Sequence, residues 1–301
     1  MASRSTAMSG ILLVLSGLAT GCQSPTGVVG EMVQIGTTHV AFLGPPAAYR
    51  TLHPRLEKLF ARPVVFNTQP SGQAIATQME QGNIAFAILS AGEYGSIADP
   101  GKLNVLAVGL NALGQPKRRA HIIVRADSHV KSITDCAGKR FAFGTHGDLL
   151  TDKAAQAALE AAGVPVKKLL PELLTPPPLG LEGRLYLGHD TAKTIVYDPT
   201  VNAGVIDEVD YEKMPPDGGN LVTGPSKDQL KIVGGTIAVP ETVVVAGPSA
   251  DPALKQALKS YLINELKNDS KVCDQMGLRG FTEPDDRLFD DVRRILGQNK
   301  S

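Results

Sequence analysis

The residues best placed to do chemistry lie between Arg140 and Gly163. A short apolar run, Arg140 to Phe143, leads into the loop Gly144-Thr145-His146-Gly147-Asp148. A helical pattern follows, in which Ala154, Ala155, Ala158, Leu159 and Ala162 recur at three-to-four spacing. Gly163 stands at the usual exit position and Pro165 forbids continuation. A loop that ends in a helix start leaves backbone N–H groups unpaired and carries partial positive charge, which suits an anionic or strongly polar small ligand. The same pattern also serves as an ordinary strand-to-helix turn. His146 with Asp148, and His189 with Asp190, have the residue types of an acid–base pair, but polar groups at a helix start are more commonly caps.

No other stretch offers catalytic machinery. The chain has no G-x-S-x-G, no H-E-x-x-H and no phosphate-binding P-loop, so it is read as a non-enzyme. No Cys/His spacing fits zinc, and neither a metal nor a cofactor is expected. Lysine plus arginine equals aspartate plus glutamate, 30 against 30, and there is no tryptophan. That balance gives no electrostatic reason to expect nucleic acid as a partner.

The elements that would position these residues belong to a globular chain of 301 residues, 43% hydrophobic and 20% charged, long enough for about two domains. The N-terminus stands apart. Arg4 precedes the apolar run Ile11 to Leu18, about the length of a signal-peptide core and too short to span a membrane. It runs into Ala19-Thr20-Gly21-Cys22, which resembles a bacterial lipobox. Residues 1–21 are therefore read as a lipoprotein signal peptide and Cys22 as the lipidated new N-terminus, held on a membrane by its acyl chains. The alternative is a plain secretory signal with a chance cysteine. Removing residues 1–21 leaves 29 basic against 30 acidic residues. Cys136 and Cys273 then remain, both at apolar positions, and are read as buried free thiols rather than a pair.

Residues 22–34 are small or turn-forming and read as a tether. The fold is expected to start near Thr37 with the strand HVAFLG. A helix carrying Tyr49, Leu52, Leu56 and Leu59 on one face follows, then strands and helices in alternation to Leu110. Such alternation argues for α/β units with largely parallel sheets. The basic triplet Lys117-Arg118-Arg119 reads as a solvated linker before the strand His121 to Arg125. Leu169 to Gly188, with Pro176-Pro177-Pro178, is too proline-rich for regular structure and reads as an exposed loop. Residues 189–197 look helical, Ala203 to Ile206 form a strand that ends on Asp207, and two helices close the chain.

Five segments taken together resemble the phosphate/phosphonate-type substrate-binding proteins of ABC transporters. They are GNIAFAILSAGEY, KSITDCAGKRFAFG, GHDTAKTIVYDPTVNAGVIDEVDYEKM, AVPETVVVA and MGLRGFTEPDDRLFDDVRRIL, in the family's order and near its spacing over nearly all of the mature chain. The resemblance implies an α/β, two-lobed periplasmic-binding-protein fold of type II, with mixed, mostly parallel sheets and a hinge. Lobe one would use residues 35–118 and 235–301, and lobe two residues 119–234. A small-molecule ligand would sit in the cleft and favour the closed state by touching both lobes. The resemblance further implies that Tyr94 supplies a ring and hydroxyl from lobe one. From lobe two, His189 would donate to the ligand and Asp207 would accept from a ligand amine or hydroxyl.

The opening loop departs from the pattern. Where the family carries a Ser-Thr pair after F-A-F-G, this chain has Asp148-Leu149 within Thr145-His146-Gly147-Asp148-Leu149-Leu150-Thr151. Leucine offers no donor, and Asp148 occupies the positive end an anion would want. A carboxylate about 4 Å from a phosphonate, at an effective dielectric near 20, costs about 4 kcal/mol, roughly a thousandfold in affinity. Ser71-Gly72 also stands where the family places a tyrosine. Thr145, His146, Thr151 and Lys193 are the residues available to compensate. The expected protein is a membrane-tethered extracytoplasmic solute-binding lipoprotein serving an ABC permease, its ligand phosphonate-like or, given the altered loop, a non-phosphonate. The competing expectation is an envelope sensor or interaction lipoprotein with a degenerate pocket.

Overall fold

A computed structural model describes residues 28–29, 32–38, 47–169, 185–186 and 191–297. The signal peptide, Cys22, the strand expected at HVAFLG, most of the proline-rich loop, and His189 with Asp190 lie outside the described residues.

Two sheets and a narrow ribbon make up the fold. The strands are β1 (Val28–Val29), β2 (Met32–Thr37), β3 (Val64–Thr68), β4 (Phe86–Leu89), β5 (Asn104–Leu110), β6 (Lys117–Arg118) and β7 (Ala120–Arg125). They continue with β8 (Phe141–Phe143), β9 (Leu185–Tyr186), β10 (Ala203–Asp207), β11 (Leu230–Gly235), β12 (Val239–Pro240), β13 (Val243–Ala246) and β14 (Gly280–Thr282). The larger sheet has the order β1-β2-β4-β13-β5-β14 with β3 on β2, the smaller has the order β11-β7-β10-β8-β9, and β6 pairs only with β12. We refer to the larger sheet and its helices as the first lobe and to the smaller as the second.

The central strands are apolar along most of their length, because both of their faces are covered. Phe86–Leu89 and Val243–Ala246 are buried at every position, as is Ala203–Asp207 in the second lobe. Both sheets are mixed, but they are not mostly parallel. β2 runs parallel to β3 and β4, and β8 parallel to β9 and β10. By contrast, β13 is antiparallel to both β4 and β5, and β7 antiparallel to both β10 and β11. The reason is topological: β7 and β13 are the strands by which the chain arrives from the other sheet, and each enters against its neighbours.

The ribbon is the crossing point. The chain leaves β5 through β6 into β7 and returns from β11 through β12 into β13, and β6 and β12 pair antiparallel with Val239 opposite Arg118. Two short paired segments between two sheets form a hinge of few residues. Lys117-Arg118 is therefore a strand of this hinge and not the solvated linker that its charge suggested.

Helices cover the sheets. The first, α1 (Ala47–Phe60), buries Tyr49, Leu52, Leu56 and Phe60 at helical spacing and keeps Pro54 on its exposed side. α2 (Gly72–Glu80) and α3 (Ala91–Gly95) follow, each capped by a serine, Ser71 and Ser90, whose side chain accepts from the helix start. α4 (Ala155–Ala161) is preceded by a wide π-type turn over Leu149–Ala154, and Gly163 takes the left-handed conformation just past its end. The remaining helices are α5 (Thr191–Tyr197), α6 (Glu208–Lys213), α7 (Pro252–Ser260), α8 (Ser270–Met276) and α9 (Asp290–Ile295). Among the described residues no helix is long and apolar enough to cross a membrane. Cys136 and Cys273 are both free and buried.

The expected tether needs shortening. Residues 28–29 and 32–34 lie in β1 and β2, because Val33 and Ile35 alternate with Gln34 and bury against the first lobe. Within the stretch expected to be an irregular loop, Leu185–Tyr186 adds a parallel edge strand to β8.

Candidate functional site

A cleft of about 500 Å³ opens between the two sheets beside the hinge. It is built from the ends of strands and the turns that follow them. Leu89 and Ser90 come from the end of β4, Thr145 from the turn after β8, and Ile206 and Asp207 from the end of β10. This is where open α/β sheets offer helix starts and side chains to a ligand.

The glycine-flanked loop enters this cleft, but its helix start is already occupied. Asp148 Oδ1 accepts from the Leu150 N–H at 3.0 Å, the Thr151 N–H at 2.6 Å and the Thr151 hydroxyl at 2.8 Å. One carboxylate oxygen thus takes the donors that would otherwise face an anion. The backbone is shaped to allow it. Gly147 has φ of 83°, in the left-handed region, and a Cβ on Gly144 would lie 2.0 Å from the Thr151 hydroxyl, so neither position tolerates a side chain without rearrangement.

The centre of charge in the cleft is a residue absent from the expected site. Arg118, on β6, places Nη1 2.8 Å from Asp207 Oδ2 and Nε 2.7 Å from Glu241 Oε1. The first contact is a hydrogen bond. The second is a close ion pair whose angle leaves the Nε–H without a hydrogen-bond acceptor. Asp207 and Glu241 are each only 9% exposed. Burial opposes the charge on Arg118, but Glu241, Asp207 and more weakly Asp148 and Asp210 outweigh it and raise its pKa. The partners behave conversely. Burial raises the pKa of Asp207 and of Glu241, and the nearby guanidinium only partly offsets that. Asp207 also caps α6, its Oδ1 accepting from the Val209 N–H at 2.8 Å.

The first lobe contributes an aromatic wall. Tyr49 lines the cleft, stacks on Phe66 with ring centroids 4.8 Å apart, and shares a hydrogen bond with the Thr37 hydroxyl at 3.1 Å. Burial raises its pKa. Gln275, Met276 and Gly277, at the end of α8, complete that side.

Of the expected site residues, the structure brings Thr145, Asp148 and Asp207 together in the cleft. Tyr94 is elsewhere. It is 4% exposed and its ring meets Phe289 edge-on at 4.6 Å, because α3 turns that face onto α9 rather than toward the second lobe. His146 does not line the cleft; its side chain is 55% exposed and lies 3.6 Å from the buried carboxylate of Asp152. Leu149 leaves the cleft for the seam beside it, where it lies against Gly92 of the first lobe. Lys193 is exposed and does not line the cleft, whereas Thr151 does. Arg118, Glu241 and Tyr49 had no signal as site residues. Arg118 sat in a basic triplet, Glu241 in an apolar return strand, and Tyr49 in the buried stripe of a helix.

Two lobes, a paired-strand hinge and a polar cleft between them make up the type II periplasmic-binding fold of solute-binding proteins. A family model for the periplasmic phosphonate substrate-binding proteins of ABC transporters matches residues 46–289, and the chain belongs to that family. It is accordingly the extracytoplasmic substrate-binding component of an ABC transporter and not an enzyme. No curated protein matches the sequence significantly. Among solved structures, a Xanthomonas citri protein bound to ATP is similar with a TM-score of 0.63 and 18% identity, over 90% of this chain and 100% of that one. PhnD1 from Prochlorococcus marinus in complex with methylphosphonate gives a TM-score of 0.60 and 14% identity, over 89% and 99% of the two chains. A binding-protein component of an ABC phosphonate transporter from Pseudomonas aeruginosa gives 0.58 and 16%, over 88% and 85%.

Proposed function

We propose that the chain is a lipoprotein anchored through Cys22, and that its two lobes capture a small polar solute other than a phosphonate for uptake by an ABC permease. The observation that carries the ligand part is Asp148, whose carboxylate accepts from the Leu150 N–H, the Thr151 N–H and the Thr151 hydroxyl. An incoming phosphonate would lose those donors and meet a like charge. We divide the lobes where the ribbon does, with residues up to 118 and from 235 onward in lobe one and residues 119–234 in lobe two. Thr145, Asp148, Thr151 and Asp207 are the ligand contacts in this reading, with Arg118, Glu241 and Tyr49 added to them. The transport family favours capture for uptake over a sensing or scaffolding role.

The test is thermal unfolding of the purified protein against a library of solutes. Binding to the folded state alone raises the melting temperature, and one ligand class should do so while methylphosphonate and phosphate do not. A flat response across the library would overturn solute capture. Separately, Cys22→Ala should move the protein from the membrane fraction to the soluble extracytoplasmic fraction, and an unchanged distribution would overturn the anchor.

A further inference from the structure

The charges lining the cleft identify the class of solute. Six acidic or basic side chains face it: Arg118 and Lys213 against Asp148, Asp207, Asp210 and Glu241. Acidic groups outnumber basic ones two to one. The cleft's guanidinium lies between two carboxylates, at 2.8 Å and 2.7 Å, so little of its field is left for a ligand. The donors at the start of the 149–154 turn are turned onto Asp148 rather than into the cleft. The guanidinium and the helix-start donors, two devices that could hold an anion, are therefore already engaged by the chain's own carboxylates, which leaves Lys213 as the other cationic side chain of the cleft.

Two further features favour a cation. The cleft meets the C-terminal end of α8 at Gln275, Met276 and Gly277, where helix carbonyls carry partial negative charge. Tyr49, fixed by its stacking on Phe66, gives the cleft an aromatic ring, the kind of surface that attracts alkylammonium and guanidinium groups. An inorganic ion fits less well, because no cluster of three or more His, Cys, Asp or Glu residues among the described residues could hold a metal.

We propose that the solute is a small organic cation, a protonated amine or a guanidinium, that carries no anionic group. Its charged head would face Asp148 and Asp210 on the second lobe, and its carbon skeleton would lie against Tyr49 and Ile88 on the first. The assignment rests on the cleft being the solute site and goes beyond the exclusion of phosphonates by giving the ligand its sign.

The test is calorimetric titration of the purified protein at low salt with three sets of probes. The cations are ethylammonium, 1,4-diaminobutane and guanidinium; the anions are methylphosphonate and inorganic phosphate; the neutral probe is ribose. At least one cation should bind about tenfold or more tighter than either anion, and its affinity should fall as salt is raised. Asp148→Asn and Asp210→Asn should each weaken the cation by about tenfold with the circular dichroism spectrum unchanged, since asparagine at 148 also caps a helix start and Asp210 is an exposed residue within α6. An anion that binds as tightly as the best cation, or cations that do not bind at all, would overturn the assignment. Binding of ribose alone would overturn the sign of the ligand and leave solute capture standing. Silence from all three sets would remove both.

Discussion

Arg118 Nη1 lies 2.8 Å from Asp207 Oδ2, a contact that ties the hinge ribbon to the end of the second lobe's central strand. Glu241, just past β12, holds the same guanidinium from the other crossing segment. The triad therefore spans both connections between the lobes and one wall of the cleft.

Removing the guanidinium would leave two largely buried carboxylates facing each other. Breaking a buried ion pair in this way costs about 3–5 kcal/mol, far more than the net stabilisation such a pair provides. Arg118→Met should lower the free energy of unfolding by that order in urea titration. Arg118→Lys should recover only part of the loss, because a point ammonium cannot repeat the contacts of Nη1 and Nε. Equal stability of wild type and Arg118→Met would show that the triad is solvated in solution.

The seat of Asp148 predicts a gain of function. Asp148→Ser with Leu149→Thr removes the carboxylate from the helix-start donors and adds hydroxyl groups in its place. Methylphosphonate affinity should rise by roughly a hundredfold or more, given a like-charge cost of about 4 kcal/mol at about 4 Å and an effective dielectric near 20. The readout is calorimetric titration of the double variant beside the wild type. An unchanged, weak response would place the barrier at Asp207 and Glu241 instead.

The fold was legible because its signals are local and redundant. Val243–Ala246 and Phe86–Leu89 are apolar runs bounded by turn residues, and the alanine pattern after Thr151 could hardly be anything but a helix. The site was legible only in part. Asp207 ends a strand and Asp148 starts a helical turn, and the family resemblance put both positions near the cleft. Arg118 was misread because a basic triplet carries no mark of its partners. Asp207 lies 89 residues away, and only the second lobe's sheet brings it within 2.8 Å. Tyr94 failed for the opposite reason. Its motif position pointed to the cleft, but whether a ring on a short helix faces cleft or core depends on what packs behind it, here Phe289 from the far end of the chain. The direction of the central strands also escaped, since hydrophobic runs do not reveal which way a neighbour runs.

The triad gives ligand binding a pH dependence whose sign can be worked out. Burial raises the pKa of Asp207 and Glu241 above the usual carboxylate range, so both protonate earlier than exposed acids as pH falls. Affinity for a cation should therefore decline between about pH 7 and pH 4, while any anion binding improves, in titrations at constant ionic strength. The linkage to stability runs the opposite way. A carboxyl whose folded pKa is raised contributes stability that is fully present below its unfolded pKa and is lost as pH rises through the folded value. Asp207→Asn should flatten the affinity profile and keep the α6 cap. A cation affinity that rises toward acid pH would contradict this account.

Asp269 shows the opposite linkage on the first lobe. Its pKa is lowered, chiefly by its hydrogen bond with Arg55, which joins α1 to the start of α8. A depressed carboxyl contributes stability that is present above its unfolded pKa and is lost as pH falls through the folded one. Asp269→Asn keeps the cap on the Val272 N–H but loses the charge. The cost should be about 0.5–1 kcal/mol near neutral pH, as for other partly exposed pairs, and should vanish in acid. Paired thermal melts at about pH 7 and about pH 3 measure the difference, and a cost that persists in acid would point to packing rather than charge.

Tyr94 separates the core from the cleft experimentally. Its ring is buried against Phe289, just before α9, and it does not line the interlobe cleft. Tyr94→Ala would remove most of that ring from a packed interior and cost about 3–5 kcal/mol, the loss typical of large aromatic truncations. Ligand affinity of the folded fraction should stay within about twofold of wild type, because nothing that faces the ligand has changed. The same experiment on Tyr49 should give the reverse pattern in affinity. Tyr49→Leu keeps an apolar side chain in the α1 stripe but removes the aromatic ring from the cleft lining, and it should weaken a cationic solute by about fivefold, on the scale of one cation–π contact. Loss of binding in a folded Tyr94 variant, with Tyr49→Leu unaffected, would return the ligand's aromatic contact to α3 and displace the cleft assignment.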